Sequence, residues 1–337
     1  MKLTSKFISS ELQHGTPEWH QARRNSIGAS EIGAIMGLSP YTPAAKIFYI
    51  KLGLLPEEEI QNSAVYWGHA LEGLIAQSWA CHTGEENSYL KGEKKRDIIP
   101  VQGYYTTEEH KFITATPDLM STGFTLNYNE GSIERVPTDK LFPVEIKSIS
   151  GYSLNQWEAG VPVYYMAQIH AQMMCTNSDY AELAMLKDGR ELLIYPIYRN
   201  PELCELIIAK CTEFWDRISK ARELMKDGVT EEVMSKIASL EPEPEGTPAY
   251  GAFLKLKFKV EDKRRIATPE EENLMMSYLQ AHSLETQAAT SKLDARNKLL
   301  RSAEDYSVLN GQNAIMTNRP SGEESKKSYF SIKLIKK

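Results

Sequence analysis

The stretch PVEIKSIS at residues 143–150 places a glutamate and a lysine two positions apart inside an otherwise apolar run. Successive side chains of a β-strand point to opposite faces, so Glu145 and Lys147 share one face while Val144 and Ile146 lie on the other. Burying an unpaired charge in a packed sheet costs free energy. The run therefore predicts a strand whose charged side chains have partners on one face of a sheet.

Two further acids occur in surroundings that disfavour an isolated charge. Glu72 stands at helical spacing beside an apolar stripe that includes Trp79, and Asp118 interrupts the strand-like run FITATPDLMS. Like charges that lie close together raise each other's pKa unless a positive charge neutralises them. A site of oxygen ligands with few carboxylates suits Mg²⁺ or Mn²⁺. We therefore predict that Glu72, Asp118 and Glu145 surround a divalent cation, with Mg²⁺ as the first choice and Mn²⁺ as the second.

Lys147 adds a reactive role to this cluster. Its ammonium group would hold or help to deprotonate a water molecule, or stabilise the negative charge that builds up on a phosphate. A bound divalent cation polarises a phosphoryl oxygen and lowers the pKa of a coordinated water. Together these groups predict hydrolysis of a phosphodiester. The alternative interpretation is that Glu145 and Lys147 form only a structural ion pair on an edge strand.

The charge of the chain is unevenly distributed. The net charge is −6, but residues 1–249 carry −11 and residues 250–337 carry +5. The overall sign disfavours a general nucleic-acid coat, although an acidic nuclease can grip phosphates through a local patch. No apolar run reaches the length of a membrane span, and the N-terminus has no signal-peptide pattern, so we expect a cytoplasmic protein without a membrane partner. No two cysteines form a C-x-x-C pair, which disfavours a zinc site.

Local patterns predict an alternation of helices and strands. Ser30 with Glu31 is expected to open a short helix that Gly37 ends. The runs FITATPDLMS and LFPVEIKSIS predict strands, with either a hairpin excursion or a surface loop between them, and AELAMLKDGRELLIYPIY predicts two strands around an Asp-Gly turn. Further helices are predicted over residues 62–80, over 163–176, and from Asn200 to about Lys226.

The Pro/Glu-rich segment SLEPEPEGTP is the best domain boundary in the chain. It predicts a catalytic domain over residues 1–240, a linker at 241–248 and an accessory module over 249–337. In that module FLKLKFKV predicts a short strand. Thr268 is expected to cap a long helix that runs to about Ser302 or breaks into two, and two strands follow at NAIMT and YFSIKLI.

Four short motifs together resemble one nuclease family. TPD (116–118) with EIK (145–147) is similar to the Asp…Glu-x-Lys signature of the PD-(D/E)XK nuclease superfamily. EWHQARRNSIGASE (18–31) resembles the opening motif of the YqaJ-type viral recombinases, the family of lambda exonuclease. YWGHALEGLIA (66–76) resembles that family's acid-bearing helix, and YYMAQIHAQMMCT (164–176) its glutamine-bearing helix. The motifs follow the order of the family and cover roughly half of the chain.

The resemblance implies a fold. It implies an α/β protein with a restriction-endonuclease-like core, in which a central mixed sheet is flanked by helices. A smaller C-terminal α+β module is expected to follow this core.

The resemblance also assigns roles to individual residues. The metal ligands would be Asp118, Glu145 and the carbonyl of Ile146, with Glu72 near them or on a second cation, and Lys147 would be the catalytic lysine. Gln168 would orient the lysine or the water. Arg23 and Ser30 would bind a terminal 5′-phosphate of DNA, and the adjacent Arg24 is the alternative to the arginine.

The activity implied by the family is that of a metal-dependent exonuclease. It would degrade one strand of duplex DNA from a 5′-phosphorylated end in the 5′-to-3′ direction and leave 3′ single strands for phage-type recombination. The resemblance further implies a ring-shaped homotrimer, a single-strand annealing protein as partner and, for a phage-encoded chain, the host cytoplasm. One departure is that Asp118 and Glu145 stand 27 positions apart, so residues 121–142 are interpreted as an insertion.

Three other functions stay open. An endonuclease or a helicase-associated nuclease of the same superfamily would use the same cluster and would cut covalently closed circular duplex. A catalytically inactive DNA-binding module is disfavoured by the intact set of acids and lysine. A glycosidase with Asp118 and Glu145 as its acid–base pair is disfavoured by Lys147 and by the lack of a sugar-stacking aromatic cluster.

Overall fold

The strand predicted at PVEIKSIS is present in a computed structural model of the protein. The structure describes residues 3–9, 16–57, 62–129, 132–258, 264–304, 306–319 and 329–334. In chain order the helices are α1 (Pro17–Arg24), α2 (Ala29–Ile35), α3 (Ala44–Lys51), α4 (Ser63–Cys81), α5 (Val163–Thr176), α6 (Pro201–Leu224), α7 (Glu231–Ala238), α8 (Pro248–Lys257) and α9 (Pro269–Ala303). The strands are β1 (Ser5–Ser9), β2 (Ile27–Gly28), β3 (Ile99–Pro100), β4 (Gly103–Thr107), β5 (Ile113–Ala115), β6 (Leu119–Asn129), β7 (Ser132–Ile149), β8 (Tyr180–Lys187), β9 (Glu191–Tyr198), β10 (Val308–Asn310), β11 (Ala314–Arg319) and β12 (Tyr329–Leu334).

The central sheet has five strands in the order β3-β6-β7-β8-β9. Strands β7 and β8 pair in parallel, with Glu145 opposite Leu183, whereas the other neighbours pair antiparallel. A parallel pair needs a long crossover, and helix α5 supplies it between β7 and β8. Strands β8 and β9 are the predicted pair around the Asp-Gly turn.

The two faces of this sheet pack against different helices. Ile146 of β7 clusters with Trp79 of α4, whereas Ile149 clusters with Ile169 and Met173 of α5. Alternate residues of a strand face opposite ways, so residue 145 shares the α5 side with Ile149. The arrangement confirms the predicted fold class of an α/β core with a central mixed sheet flanked by helices.

The predicted strand FITATPDLMS is two strands, and the prediction of one continuous strand is wrong. β5 ends at Ala115 and belongs to a second sheet, of order β1-β4-β5-β2, while β6 begins at Leu119 in the central sheet. Pro117 lies in the gap, where its missing N–H cannot interrupt a hydrogen-bond ladder. Asp118 therefore occupies the corner at which the chain passes from one sheet to the other.

The segment between Asp118 and Glu145 forms a long β-hairpin. Leu119 pairs with Val144 at its base and Tyr128 with Ile133 near its tip, with an irregularity between Ser121 and Gly123. Of the two predicted alternatives, hairpin or surface loop, the structure has the hairpin. The long sequence spacing thus closes into a short distance in space.

Helix α2 lies close to helix α5 because Gly33 has no side chain. A Cβ added at Gly33 would lie 2.8 Å from the Cβ of Tyr164, which is too near for any ordinary contact. The core around these helices also contains α3 and α6, including Phe48 and Phe214. The close approach brings the opening motif next to the glutamine-bearing helix.

The chain forms two compact units, Met1–Val260 and Glu261–Lys337. The division falls beyond the predicted linker at 241–248, because Tyr250 and Phe253 of α8 pack into the first unit's core. The assignment of residues 249–337 to an accessory module stays a prediction.

The predicted strand FLKLKFKV is wrong, because its residues 253–257 belong to helix α8, while residues 259–260 lie outside the described residues. Thr247 accepts a hydrogen bond from the backbone N–H of Tyr250, and Pro248 occupies the first helical position. The alternation of lysine with apolar residues imitates a strand. The buried pair Tyr250 and Phe253, three positions apart, follows the helical period instead.

The second unit is an α+β structure, as predicted. Helix α9 is continuous, and Thr268 caps it in a reciprocal pair of hydrogen bonds with Glu271. Strands β10, β11 and β12 form an antiparallel sheet in that order. Within the described residues, no helix is both long and apolar enough to cross a membrane.

A fully buried ion pair on the α4 side of the sheet is a feature that sequence patterns did not predict. Arg96 donates to Glu182 at 2.6 Å, and both side chains have no exposed surface. Glu182 also accepts hydrogen bonds from Trp79 Nε1 at 2.7 Å and from Tyr180 Oη at 2.5 Å. The Arg96 guanidinium lies 4.0 Å from the centre of the Trp79 ring. This network ties α4 to β8.

Replacing Glu182 with glutamine should strongly destabilise the protein. The Arg96 charge would stay buried without a counter-ion, which typically costs about 3–5 kcal/mol. Urea unfolding at neutral pH measures this loss.

The matched control is Glu213→Gln, which removes a glutamate from an ion pair on exposed helix surface. Glu213 lies 3.0 Å from Arg217, with the two side chains 55% and 30% exposed. Its loss should change the free energy of unfolding by less than about 1 kcal/mol. Equal losses for both variants would contradict the importance of the buried network.

Candidate active site

Glu145 is the most densely hydrogen-bonded acid of the site. Its side chain is 2% exposed and accepts from Gln168 Nε2 at 2.5 Å, from Gln172 Nε2 at 2.6 Å and from the Lys147 ammonium. Gln168 and Gln172 are one turn apart on α5 and therefore face the sheet together. The charged side chains of the EIK strand thus have the partners that their burial requires.

Asp118 lies beside Glu145 at the corner between the two sheets. Its Oδ2 accepts a hydrogen bond from the backbone N–H of Ile146 at 2.6 Å, which ties the corner to β7. Burial raises the pKa of Asp118 well above its ordinary value, and the negative charge of Glu145 raises it further. The Lys147 ammonium opposes this rise without cancelling it. The ionised form of Asp118 is therefore disfavoured unless a further positive charge lies beside it.

Lys147 is held as a cation. Burial alone would lower its pKa, but Glu145 and Asp118 together raise the pKa above the ordinary value for lysine. Its Nζ lies 5.3 Å from the centre of the Tyr165 ring, where the π-electrons favour a positive charge. A lysine that stays protonated at neutral pH can stabilise developing negative charge but cannot remove a proton from water.

Glu72 lies at the edge of the site. It belongs to α4, its side chain is 42% exposed, and its Oε2 is 4.0 Å from Nδ1 of His69. Its charge contributes to the raised pKa of Asp118, though less than burial and Glu145 do. The apolar stripe predicted beside it is real, since Ile75 and Trp79 are buried.

The donor chemistry of the site fits a hard divalent cation. Asp118 and Glu145 supply carboxylate oxygens next to the main chain of Ile146, and the pKa of Asp118, raised by burial and then by Glu145, would be lowered by a nearby cation. Among the described residues, no three His, Cys, Asp or Glu side chains converge closely enough to hold a metal ion. The expected convergence of three carboxylates is therefore not seen, because Glu72 lies on the more exposed surface of α4.

The opening motif places Arg23 among acidic and aromatic side chains. The guanidinium lies 3.3 Å from Glu31 and 3.4 Å from Glu57, and its carbon is 4.6 Å from the centre of the Trp19 ring. Arg23 therefore ends α1 with its side chain folded back toward α2. Its neighbour Arg24 is held differently, because its carbonyl accepts from Arg222 at 2.6 Å.

Ser30 is exposed in the first turn of α2, but it does not cap the helix. The N-cap is Gly28, whose backbone N–H donates to Glu31 at 2.7 Å. The expectation that Ser30 opens the helix is wrong by two residues, because Glu31 reaches back to residue 28 from the third helical position. The predicted end of the helix at Gly37 fits its positive φ of 69°.

Sequence reasoning missed Lys51, which supports Arg23 both directly and through Glu31. Lys51 of α3 is 2% exposed and lies 2.8 Å from Glu31, and its Nζ also donates to the Arg23 carbonyl at 2.8 Å. Burial alone would raise the pKa of Glu31, but Lys51 and Arg23 lower it below the ordinary value. No sequence signal links residues 31 and 51, which meet only through the packing of α2 on α3.

Gln172 was also missed, although the sequence carried a signal for it. The repeat AQIHAQ places two glutamines four positions apart on the predicted helix. Gln172 Oε1 is buried without a hydrogen-bond partner among the described residues. The Gln172 amide thus donates to Glu145 while its own oxygen stays unpaired, and an unpaired buried oxygen lowers the free energy of unfolding.

Asp118→Asn should stabilise the metal-free protein at neutral and alkaline pH. The amide keeps an acceptor for the Ile146 N–H and removes a charge that Glu145 repels. Because one pKa unit corresponds to about 1.4 kcal/mol, a gain of at least about 1 kcal/mol is expected in urea unfolding with EDTA.

The pH dependence follows from the direction of the Asp118 pKa shift. Because the pKa of Asp118 is raised in the folded protein, the folded state is destabilised at pH values above about 4, the pKa of an aspartate in the unfolded chain. The destabilisation is complete at pH values above the pKa in the folded protein. The advantage of Asp118→Asn should therefore shrink as the pH falls toward about 4. Asp97→Asn, at an exposed aspartate beside Lys94, is the control and should show no such trend. A destabilised Asp118→Asn variant would show that the two acids do not repel each other.

Comparison with known proteins shows what this region is similar to. Residues 18–179 match the model of the YqaJ-like viral recombinase domain. The uncharacterized protein YqaJ of Bacillus subtilis (strain 168) is 28% identical over 225 residues, which span 65% of this chain and 62% of that protein. The match thus leaves more than a third of the relative's length uncovered.

Among solved structures, the alkaline exonuclease LHK-Exo of Laribacter hongkongensis is 19% identical, with a TM-score of 0.46 over 67% of this chain and 100% of its own. LHK-Exo in complex with dAMP gives 20% identity and the same TM-score, over 63% of this chain and 97% of that chain. A phage-related exonuclease of Haemophilus somnus 129PT is 12% identical, with a TM-score of 0.37 over 58% and 95% of the two chains. The motifs and the match agree in extent, and residues 18–179 of this chain are similar to the YqaJ-like viral recombinase domain.

Proposed function

We propose that this protein is a metal-dependent 5′-to-3′ exonuclease that degrades one strand of duplex DNA from a 5′-phosphorylated end. The observation that carries the proposal is the group formed by Asp118, Glu145 and Lys147 at the end of the central sheet. Two carboxylates lie beside an ammonium group that stays charged. The similarity to the YqaJ-like domain supports the same conclusion.

In this proposal each residue has a distinct task. Asp118, Glu145 and the Ile146 carbonyl would hold Mg²⁺, or Mn²⁺ as the alternative, which when bound polarises the phosphoryl group and acidifies a water. Lys147 stabilises the negative charge that develops on the phosphate. Gln168 and Gln172 orient the Glu145 carboxylate through their amide groups.

Glu72 has a secondary role in the proposal. Its exposure and its influence on the pKa of Asp118 suit a carboxylate that binds metal-bound water or a second cation rather than the first. It stays a candidate ligand and a candidate catalytic residue.

The choice of a DNA end would come from the opening motif. Arg23 offers a planar fork of donors that matches a phosphate, and Ser30 exposes a hydroxyl and helix N–H groups in the first turn of α2. A pocket for a terminal phosphate engages a chain end and cannot engage an internal phosphodiester. This feature favours an exonuclease over an endonuclease.

The larger biological setting follows from the family resemblance. We propose a homotrimeric ring around the DNA, a single-strand annealing protein as partner and, for a phage-encoded chain, the host cytoplasm as location. The 3′ single strands left by the enzyme would serve phage-type recombination. Sedimentation in solution and activity on closed circular duplex test the ring and the endonuclease alternative.

Lys147→Met should reduce cleavage of linear duplex by at least about 100-fold, the usual effect of removing a donor that stabilises a developing charge. The assay follows the cleavage of 5′-phosphorylated linear DNA in the presence of Mg²⁺ on a gel. EDTA should abolish cleavage by the wild type.

Lys187→Met is the matched control, because Lys187 lies on the neighbouring strand β8 and pairs with Glu191 at 2.8 Å. It should retain near wild-type cleavage. Full activity in Lys147→Met would overturn the assigned centre, and undiminished activity in Glu145→Ala would do the same.

Arg23→Met should abolish the preference for a phosphorylated end. Wild-type protein is expected to degrade 5′-phosphorylated duplex at least about ten times faster than 5′-hydroxyl duplex. The 5′-hydroxyl duplex lacks the phosphate and therefore cannot form the charge-assisted contact with Arg23. The measurement is the ratio of the two initial rates.

Arg24→Met is the control for this preference, because the sequence alone leaves the choice between two adjacent arginines open. It should keep the wild-type ratio. If Arg24→Met alone abolished the preference, the phosphate would be assigned to the wrong arginine.

A further inference from the structure

The guanidinium of Arg23 faces two glutamates that are held in very different ways. Glu31 is 11% exposed and fixed by Lys51 at 2.8 Å and by the Gly28 N–H at 2.7 Å. Glu57 follows α3 in an irregular segment, is 25% exposed, and contacts Arg23 and the His20 ring. One carboxylate is therefore built into the core, and the other reaches Arg23 from the surface.

The charges of this cluster balance before any DNA is present. Arg23 and Lys51 provide two positive charges, and Glu31 and Glu57 provide two negative ones. A terminal phosphate brings a charge near −2 and three acceptor oxygens. If the phosphate bound Arg23 while Glu57 stayed in contact with the same guanidinium, the phosphate and the Glu57 carboxylate would repel each other strongly.

The contact between Arg23 and Glu57 is also incomplete. Nε of Arg23 is buried and has no hydrogen-bond partner in the described part of the chain, although Glu57 Oε1 lies 3.4 Å away. A guanidinium binds best when two parallel N–H groups meet two oxygens. Glu57 therefore occupies the position in front of Arg23 without satisfying it.

We propose that Glu57 is a displaceable counter-ion that occupies Arg23 in the free enzyme and that the 5′-phosphate of DNA replaces. Glu31 and Lys51 hold the arginine in place throughout. His20, whose Nδ1 is 2.9 Å from Glu57 Oε2, remains as a partner for the displaced carboxylate. Glu57 thus sets how strongly a phosphorylated end is preferred. This inference rests on the proposed role of Arg23 as the phosphate ligand.

The test compares affinities for two DNA ends. A blunt duplex labelled at one end carries either a 5′-phosphate or a 5′-hydroxyl at the other, and its binding is followed by fluorescence anisotropy with EDTA to prevent cleavage. The readout is the dissociation constant for the 5′-hydroxyl end divided by that for the 5′-phosphate end. Glu57→Gln should raise this ratio about 3- to 10-fold over the wild type, because the phosphate no longer competes with a carboxylate.

Three variants isolate the effect. Glu18→Gln removes a negative charge from an exposed site on α1 and should leave the ratio unchanged. In an Arg23→Ala background, Glu57→Gln should have no effect on the ratio, as a double-mutant cycle requires for residues that act through each other. Glu57→Asp keeps the charge on a shorter side chain and should give an intermediate ratio.

The possible failures are distinguishable. If the wild type binds both ends equally, the phosphate pocket and this inference both fall. If the wild type prefers the phosphate but Glu57→Gln leaves the ratio unchanged or lowers it, the pocket stands and the role of Glu57 is wrong. An equal increase in the Arg23→Ala background would show a general charge effect and would overturn the inference.

Discussion

The burial of two neighbouring acids, Asp118 and Glu145, is the constraint on which the candidate site depends. The corner between two sheets brings one acid to the N–H of Ile146, and the central strand holds the other under helix α5. Burial and then the charge of Glu145 raise the pKa of Asp118, and Lys147 opposes this rise only in part. The ionised form of Asp118 is therefore disfavoured unless a further positive charge lies beside it. The glutamine amides of α5 and the close packing of α2 on that helix hold the two acids in place.

Buried charge at three described places in the first unit differs in character from one place to the next. Arg96 and Glu182 form a fully buried ion pair whose hydrogen bonds join α4 to the sheet. The pair of Glu31 and Lys51 supports a partly exposed arginine. Asp118 and Glu145 lie side by side with Lys147 beside them, and the pKa of Asp118 stays raised. A group whose pKa is shifted by burial and by a neighbouring charge is a candidate for binding or catalysis.

Much of the fold could be predicted from local patterns. Helices α4, α5 and α6 and strands β8 and β9 lie close to where periodicity and capping residues place them. Two predictions failed where local pattern and tertiary packing disagree. The lysine alternation near Phe253 imitates a strand although its apolar residues pack as a helix. The run around Pro117 reads as one strand although the chain changes sheets there.

The sequence by itself determined which residues carry charge on the central strand, because strand alternation puts Glu145 and Lys147 on one face. It also determined the order of the motifs and hence the family resemblance. Only the tertiary structure decided that Gln172 joins Glu145, that Lys51 meets Glu31, that Glu57 reaches Arg23 and that Glu72 stays at the edge. The physical reason is that these contacts join elements far apart in the chain, and their geometry depends on how helices pack across the sheets.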